Sequence, residues 1–263
     1  MTKVRLTHIG GPTLLLEFDG WRILTDPTFD DPGRTYRFGW GTSSRKTGTP
    51  AVAAPDIGPI DLVLLTHDHH DDNLDGAGRA LLASADVVVT TVPGAARLGA
   101  GTRGLAAWDS TRVVAPDRPD IDVVATPCRH GPPLSRPIAG AVVGFALRWD
   151  GQEGGALWIS GDTVLTRSVR SVAHRIDVGV AVLHLGGVTF PVTGRVRYTM
   201  NAREAVELTE LVAPHTTIPV HYEGWSHFRE GRDAIERAFA DAAPRVRDSL
   251  TVLARGTPID IAV

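Results

Sequence analysis

The stretch from Ile60 to Asp75 constrains this chain most, because an apolar run there ends in a cluster of histidines and aspartates. Residues 62–65 are Leu, Val, Leu and Leu, a pattern typical of a strand that is buried on both faces in a layered α/β fold. Such strands carry functional groups at their C-terminal ends. The stretch therefore predicts a buried strand that delivers polar side chains to a site.

Three of these polar side chains follow the strand at alternate positions, namely His67, His69 and Asp71. In an extended segment, this spacing points all three to the same side. Neutral imidazoles and a carboxylate that converge on one point suit a divalent transition metal such as zinc, manganese or iron. The alternative is a solvated polar loop, which such an unbroken run of ionisable residues disfavours.

Length, composition and charge narrow the class of protein. The chain has 263 residues, of which 43% are hydrophobic, and we expect a single domain over residues 1–263. The formal net charge is −3, with 27 basic and 30 acidic residues, so no basic patch is expected to bind nucleic acid. Cys128 is the only cysteine, which excludes an internal disulfide and favours a reducing compartment. Neither a signal-type segment nor a membrane span is recognisable, so we expect a cytoplasmic protein.

The first part of the chain predicts a β-meander followed by a long loop. Strands are expected over residues 4–9, 13–18 and 21–25. The last ends at Asp26, where the following proline favours extended backbone, and Asp26 is either a turn former or a site residue. Residues 28–59 show no helix or strand period, so they are expected to form a lid, a substrate wall or a plain surface loop.

Strands and helices alternate in the rest of the chain, which favours α/β layers over an all-β sandwich. A helix over residues 73–84 is expected to be capped by Asp71 or Asp72. A helix over residues 201–212 has the spacing of a capping box. The remaining expected elements are helices over 93–98 and 233–243 and strands over 86–91, 112–115, 121–125, 141–148, 156–160, 177–185, 216–220 and 250–254.

Further candidate site residues lie at the ends of these later strands. His130 follows the strand over 121–125, Asp162 follows the strand over 156–160, and His221 follows the strand over 216–220. Asp162 is either a carboxylate that bridges two metals or the cap of a helix that begins near Leu165. Candidates for roles beside the metal or the substrate are His184, within a strand, and Glu223 and His227, which follow His221.

Taken together, these residues resemble those of the metallo-β-lactamase fold superfamily of metal-dependent hydrolases. The likeness covers nearly the whole chain and includes LTHIGGPTLLLEFDGWRILTDP, TPCRHGP, ISGDT and IPVHYEGW. Within the superfamily, the chain looks similar to the branch of ascorbate-6-phosphate lactonase and N-acylphosphatidylethanolamine phospholipase D type enzymes. The resemblance implies an α/β fold, specifically an αββα four-layer sandwich with its site at one edge between the sheets.

The resemblance also implies a ligand set. One metal would be held by His67, His69 and His130, and the second by Asp71 and His221, with Asp162 shared between them. Zinc is the expected metal, as one or two ions, with manganese or iron as alternatives.

Two positions depart from the family pattern. The family has a histidine where this chain has Asp72, and often a histidine where it has Gly11. Asp72 offers a harder oxygen donor, which leaves the occupancy of the second site open. A second set of alternate residues, formed by Asp68, His70 and Asp72, is also left open, and His70 is otherwise a candidate for contact with the substrate.

The implied chemistry is hydrolysis of a small-molecule ester, lactone or phosphoester by a metal-activated water, with Asp71 or Asp162 orienting that water. Asp26, His184, Glu223 and His227 are candidates for supporting the ligands or contacting the substrate. The alternatives are a nucleic-acid phosphodiesterase, which the charge disfavours, and a non-catalytic metal-binding protein whose second site is degenerate.

Overall fold

Fifteen strands are present in the computed structural model, which describes residues 2–263. They are β1 (Lys3–Gly10), β2 (Thr13–Phe18), β3 (Trp21–Thr25), β4 (Thr35–Gly39), β5 (Thr42–Arg45), β6 (Leu62–Leu64), β7 (Val87–Thr91), β8 (Thr102–Leu105), β9 (Ser110–Val113), β10 (Ile121–Pro127), β11 (Val143–Arg148), β12 (Ala156–Ile159), β13 (Val178–His184), β14 (Thr216–Val220) and β15 (Ile259–Ala262). Seven of them form one sheet in the order β15-β1-β2-β3-β6-β7-β8, and six form a second in the order β14-β13-β12-β11-β10-β9. The strands β4 and β5 form a separate antiparallel hairpin.

Within the described residues, seven α-helices connect or cover these strands. They are α1 (Gly76–Leu81), α2 (Val92–Leu98), α3 (Arg136–Ala139), α4 (Arg167–Arg170), α5 (Ala202–Val212), α6 (Arg232–Ala240) and α7 (Pro244–Ser249). In α5, the expected capping box is confirmed, because Asn201 and Glu204 each accept a hydrogen bond from the other's backbone N–H. Within residues 2–263, no helix has both the length and the apolar character that crossing a membrane requires.

Three buried clusters show that the layers are ordered αββα, as expected. Leu62 and Leu64 point into the cluster between the two sheets, whereas Val63 and Leu65 point into the cluster shared with α1. The β6 strand is therefore buried on both faces, as its sequence predicts. On the far side of the second sheet, residues of β13 pack against α5 and α6.

The directions of the strands bring several chain ends to one edge of the molecule. In the second sheet, β12, β13 and β14 are parallel, and β10 runs the same way because β11 is antiparallel to both β10 and β12. The segments that follow β10, β12 and β14 therefore leave the sheet at the same edge. Those segments carry His130, Asp162 and His221.

Four expectations about local structure are wrong. No helix or strand is expected over residues 28–59, but they contain the antiparallel β4–β5 hairpin, in which the buried Tyr36 and Phe38 alternate with exposed residues. The helix expected over 73–84 begins only at Gly76 and is capped by Asp75. Asp26 has a φ of 32° and so is not extended, because its carbonyl and carboxylate are both fixed by hydrogen bonds. The closing strand is β15, and not residues 250–254.

A buried ion pair fastens the base of the hairpin to the segment that follows β6. Lys46 Nζ lies 2.7 Å from Asp75 Oδ2, and both side chains are buried. Asp75 also accepts hydrogen bonds from the backbone N–H groups of Phe29, Asp30 and Gly78. Because a buried charge is costly unless it is paired and hydrogen-bonded, this arrangement fixes the hairpin base and the start of α1 together.

Candidate metal centre

The polar segment after β6 is a series of bends and turns, and not an extended chain. The backbone N–H groups of Asn73 and Leu74 both donate to the carbonyl of His70, at 3.1 and 3.0 Å. As a result, His67 and His70 point into the molecule, whereas His69 between them is exposed. The expectation that His67, His69 and Asp71 share one side is therefore wrong, because it assumed extended geometry.

The first ligand group consists of His67, His70 and His130, all of them buried, with one nitrogen of each within 4.8 Å of the others. His130 Nε2 lies 3.1 Å from His70 Nδ1. The Nδ1–H of His130 donates to the backbone carbonyl of Tyr198 at 2.8 Å, and this bond leaves the lone pair of Nε2 directed into the group.

The second ligand group consists of Asp72, His221 and His227, which are also buried and within 4.8 Å of one another. Asp72 Oδ2 lies 3.3 Å from His221 Nε2 and 3.1 Å from His227 Nε2. Ser44 on the β4–β5 hairpin holds the other side of His227, with its Oγ 2.5 Å from Nδ1. His221 has a φ of 56°, a left-handed backbone conformation fixed in part by its N–H bond to the carbonyl of Gly11.

Asp162 lies fully buried between the two ligand groups. One oxygen is 3.4 Å from His221 Nδ1 and the other is 3.9 Å from His130 Nε2. The helix that follows is capped by Thr166, so the alternative role of Asp162 as a helix cap is wrong. Its position fits a carboxylate that serves both groups.

Burial and neighbouring charges give the two ligand groups different electrostatics. Burial and the nearby histidines lower the pKa of His67 well below its ordinary value, and lower that of His130 to about 3. Burial alone would lower the pKa of His221, but the carboxylates of Asp162 and Asp72 raise it to about 9. Burial raises the pKa of Asp162 to about 7, with Asp72 adding to the effect. His67 and His130 of the first group are therefore neutral imidazoles, whereas the second group contains charge.

A buried network of hydrogen bonds supports the first group through Thr66. Asp26 Oδ1 accepts a hydrogen bond from the backbone N–H of Thr66 at 2.7 Å, and its Oδ2 lies 3.1 Å from His184 Nε2. Thr66 Oγ1 lies 3.1 Å from His67 Nδ1. Asp26 and His184 thus contact residues beside the ligands without belonging to either group.

Besides Asp26 and His184, three further candidates from the sequence lie outside both groups. The exposed side chain of His69 has its Nδ1 3.2 Å from Arg97 and 3.5 Å from Asp68 Oδ1. Asp71 is half-buried. Glu223 lies 3.2 Å from Arg255 and 4.0 Å from the ring of His8.

The structure includes both His70 and His227 in the ligand groups, whereas the sequence favours His67, His69 and Asp71 over the alternative set that contains His70 and gives His227 only a supporting role. The spacing of three between His67 and His70 is the sequence feature that could have indicated His70 as a ligand, because residues three apart lie on the same side of a helical turn. For His227, the sequence carries no comparable signal.

The chemistry of the two groups fits divalent metal. Each group has three nitrogen or carboxylate donors. Several buried polar atoms in or between the groups have no hydrogen-bond partner among the described residues, namely His67 Nε2, Asp72 Oδ1, His221 Nδ1 and both oxygens of Asp162. Since unpartnered polar atoms are costly in a protein interior, a metal ion is the natural partner for this set.

Comparison with known proteins identifies the relatives of this chain. The family model described as "Beta-lactamase superfamily domain" matches residues 21–222. A UPF0173 metal-dependent hydrolase from Opitutus terrae is 28% identical over 98% of this chain and 100% of its own length. A UPF0173 metal-dependent hydrolase from Pyrococcus abyssi is 26% identical over 75% of this chain and 83% of its own length.

Solved structures show the same fold. An isothiocyanate hydrolase from Delia radicum gut bacteria superimposes with a TM-score of 0.80 at 19% identity, over 98% of this chain and 100% of that protein. The metallo hydrolase Igni18 from Ignicoccus hospitalis superimposes with a TM-score of 0.73 at 21% identity, over all of both chains. The chain therefore belongs to the beta-lactamase superfamily domain family, and it is a metal-dependent hydrolase with the metallo-β-lactamase fold.

Proposed function

We propose that the protein hydrolyses a small-molecule ester, lactone or phosphoester at the two ligand groups. The observation that carries this proposal is the pair of buried donor sets, His67, His70 and His130 beside Asp72, His221 and His227. No serine or cysteine nucleophile is needed. The sole cysteine, Cys128, has its thiol 2.9 Å from the carbonyl of Ser160, and burial raises the pKa of that thiol well above its ordinary value.

Each group would hold one metal ion, and Asp162 would serve both. A divalent ion bound there supplies Lewis-acid chemistry, which makes water a stronger nucleophile near neutral pH and stabilises negative charge on the substrate. Asp162 is our choice as the residue that orients the attacking water, because its carboxylate lies near a ligand of each group, whereas Asp71 is half-buried and belongs to neither group. Asp26 and His184 hold the ligand segment in place through Thr66.

Zinc is the metal we propose, because imidazole and carboxylate donors suit it and the first group is rich in imidazole. Manganese or iron would use the same donors. Occupancy by one or two ions depends on Asp72, which replaces the histidine of the family pattern.

Other parts of the proposal concern the protein's setting. We propose that the enzyme is cytoplasmic. We also propose that, within its superfamily, it belongs to the branch of ascorbate-6-phosphate lactonase and N-acylphosphatidylethanolamine phospholipase D type enzymes. A nucleic-acid substrate is disfavoured by the net charge of −3. The competing hypothesis is that the protein binds metal without catalysing a reaction.

Metal analysis combined with a hydrolysis panel tests the proposal. Protein expressed with zinc, manganese and iron should contain stoichiometric metal and should turn over at least one of the esters, lactones or phosphodiesters. The variant His67→Ala should lose metal and turnover, whereas His174→Ala, at an exposed histidine, should keep both. Retained metal without any turnover would favour the non-catalytic reading, and unchanged metal content in His67→Ala would reject the site.

A further inference from the structure

A cavity of about 360 Å³ opens directly onto both ligand groups. His70 and His130 of the first group and Asp72 of the second form its floor. A substrate in this cavity can therefore reach both groups at once. Its volume is near the lower end of the range for small-molecule sites.

The walls of this cavity are apolar. Phe38 on the hairpin faces Phe190 with ring centroids 6.0 Å apart, and Val188 and Tyr198 complete the inner wall. Among the described residues that line it, there is no lysine or arginine. Phosphate groups are recognised in proteins by such cations or by clustered backbone N–H groups, so the walls are poorly suited to a phosphorylated substituent.

The mouth of the cavity has two apolar sides. Trp40 at the hairpin tip is 76% exposed, and Val192 in the segment opposite is 62% exposed. A Cβ atom added at Gly41 would lie 3.7 Å from Val192, so the hairpin tip and the segment over 188–198 meet across the mouth.

A neighbouring cavity of about 440 Å³ gives a useful contrast. It is lined in part by Arg129 and Arg136, but among its described lining residues His130 alone belongs to a ligand group. The cationic cavity thus reaches one ligand, whereas the apolar cavity reaches both groups.

We propose that the apolar cavity binds the uncharged, apolar part of the substrate, and that Val192 helps to determine which substrates are accepted. This inference rests on the proposed function and narrows it to uncharged esters or lactones that carry a small alkyl or aryl group. The polar ester or lactone group would lie at the floor, and the apolar group would lie between the hairpin and the segment over 188–198.

A series of p-nitrophenyl esters tests this inference. For the metal-loaded protein, kcat/KM should rise about fourfold per added methylene from acetate through butanoate to hexanoate until the cavity is filled. Bis(p-nitrophenyl) phosphate should be the poorer substrate. Val192→Glu should reduce the preference for hexanoate over acetate about tenfold, mainly through KM, because a carboxylate at the mouth is unfavourable beside an alkyl chain.

Val114→Glu is the matched control, because Val114 is 61% exposed and does not line the cavity. It should behave as the unmodified protein does. Both positions are on the surface, so neither variant is expected to unfold the chain.

Binding of N-benzylacetamide, an uncharged and unreactive amide, gives a second readout that requires no turnover. Ligand-observed NMR should show binding to the unmodified protein and to Val114→Glu, and about tenfold weaker binding to Val192→Glu. Equal binding by the two variants, or a preference for the phosphodiester in the unmodified protein, would overturn the inference.

The two readouts separate failure of this inference from failure of the proposed function. If no ester is hydrolysed while Val192→Glu still weakens amide binding, the proposed hydrolysis fails and the cavity assignment stands. If the esters are hydrolysed without any dependence on chain length and both variants bind the amide equally, the cavity assignment fails and hydrolysis stands.

Discussion

The two ligand groups differ in charge and in how they are supported. The first is made of three imidazoles, and a backbone carbonyl orients one of them. The second combines two imidazoles with Asp72, and it depends on Ser44 of the separate hairpin. One short segment after β6 contributes to both, through His67 and His70 on one side and Asp72 on the other. A tight turn thus divides residues only two positions apart, His70 and Asp72, between two sites of unlike chemistry.

The largest expected effect comes from removing a ligand of the first group. His130→Ala should lower kcat/KM about a thousandfold or more, because the electrostatic assistance of a metal is worth several kcal/mol. Metal analysis and kinetics on the ester series measure this directly. If this variant keeps both its metal and its turnover, the first group is not the metal centre.

Removing the carboxylate of the second group should have a smaller and more selective effect. Asp72→Ala should lose about one metal ion per chain and about a hundredfold in kcat/KM, while the ion in the first group remains. Asp72→Asn is the matched variant, since it keeps the shape and removes only the charge. Identical metal content in the unmodified protein and both variants would show that the second group is not occupied.

The pH dependence of stability should distinguish the groups in metal-free protein. The pKa values of His67 and His130 are lowered in the folded state. As the pH falls, these histidines therefore take up protons at a higher pH in the unfolded chain than in the folded one. Stability should therefore fall as the pH drops below about 6.5, by at most about 1.4 kcal/mol per histidine per pH unit. The raised pKa of His221 has the opposite sign, because its contribution is complete below about 6.5 and is lost as the pH rises through about 9.

Urea unfolding of chelator-treated protein between pH 5 and pH 10 measures both slopes. The acid slope should be shallower in His130→Ala, whereas the alkaline slope should be shallower in His221→Ala. A free energy of unfolding that does not change over this range would contradict the assignment of neutral and charged groups.

The smallest expected effect concerns the support of the second group by the hairpin. Ser44→Ala should weaken metal binding at that group about tenfold, because an outer partner orients the imidazole of His227. Ser43→Ala, at the exposed neighbour on the same strand, is the control and should leave affinity unchanged. Competition with a metal indicator measures both variants, and a loss confined to the first group would contradict the comparison.

Much of the fold could be predicted because local patterns agreed with the final layers. The apolar run over 62–65 is buried on both faces, and the spacing of Asn201 and Glu204 does form a capping box. The positions of His130, Asp162 and His221 after strands of like direction placed them correctly at one edge, since parallel strands end on the same side of a sheet.

The turn after β6 could not be predicted, because its shape depends on contacts that are distant in sequence. Asp75 is fixed there by Lys46 and by backbone groups of residues 29 and 30. An assumption of extended geometry therefore selected His69 and Asp71 in place of His70. The hairpin was missed because its strands are only five and four residues long and lie in a stretch where Gly, Ser, Thr and Pro are clustered, which is the pattern of a loop.

The Lys46–Asp75 pair has a consequence for how this enzyme could diverge. It fastens the base of the hairpin to the segment that carries the ligands, whereas Trp40 and Gly41 at the tip face the mouth of the cavity. Substitutions at the tip can change the substrate without disturbing the metal ligands, whereas substitutions at the base endanger both. The tip at Trp40 and the base at Lys46 should therefore tolerate substitution very differently, although they are only six positions apart in the chain.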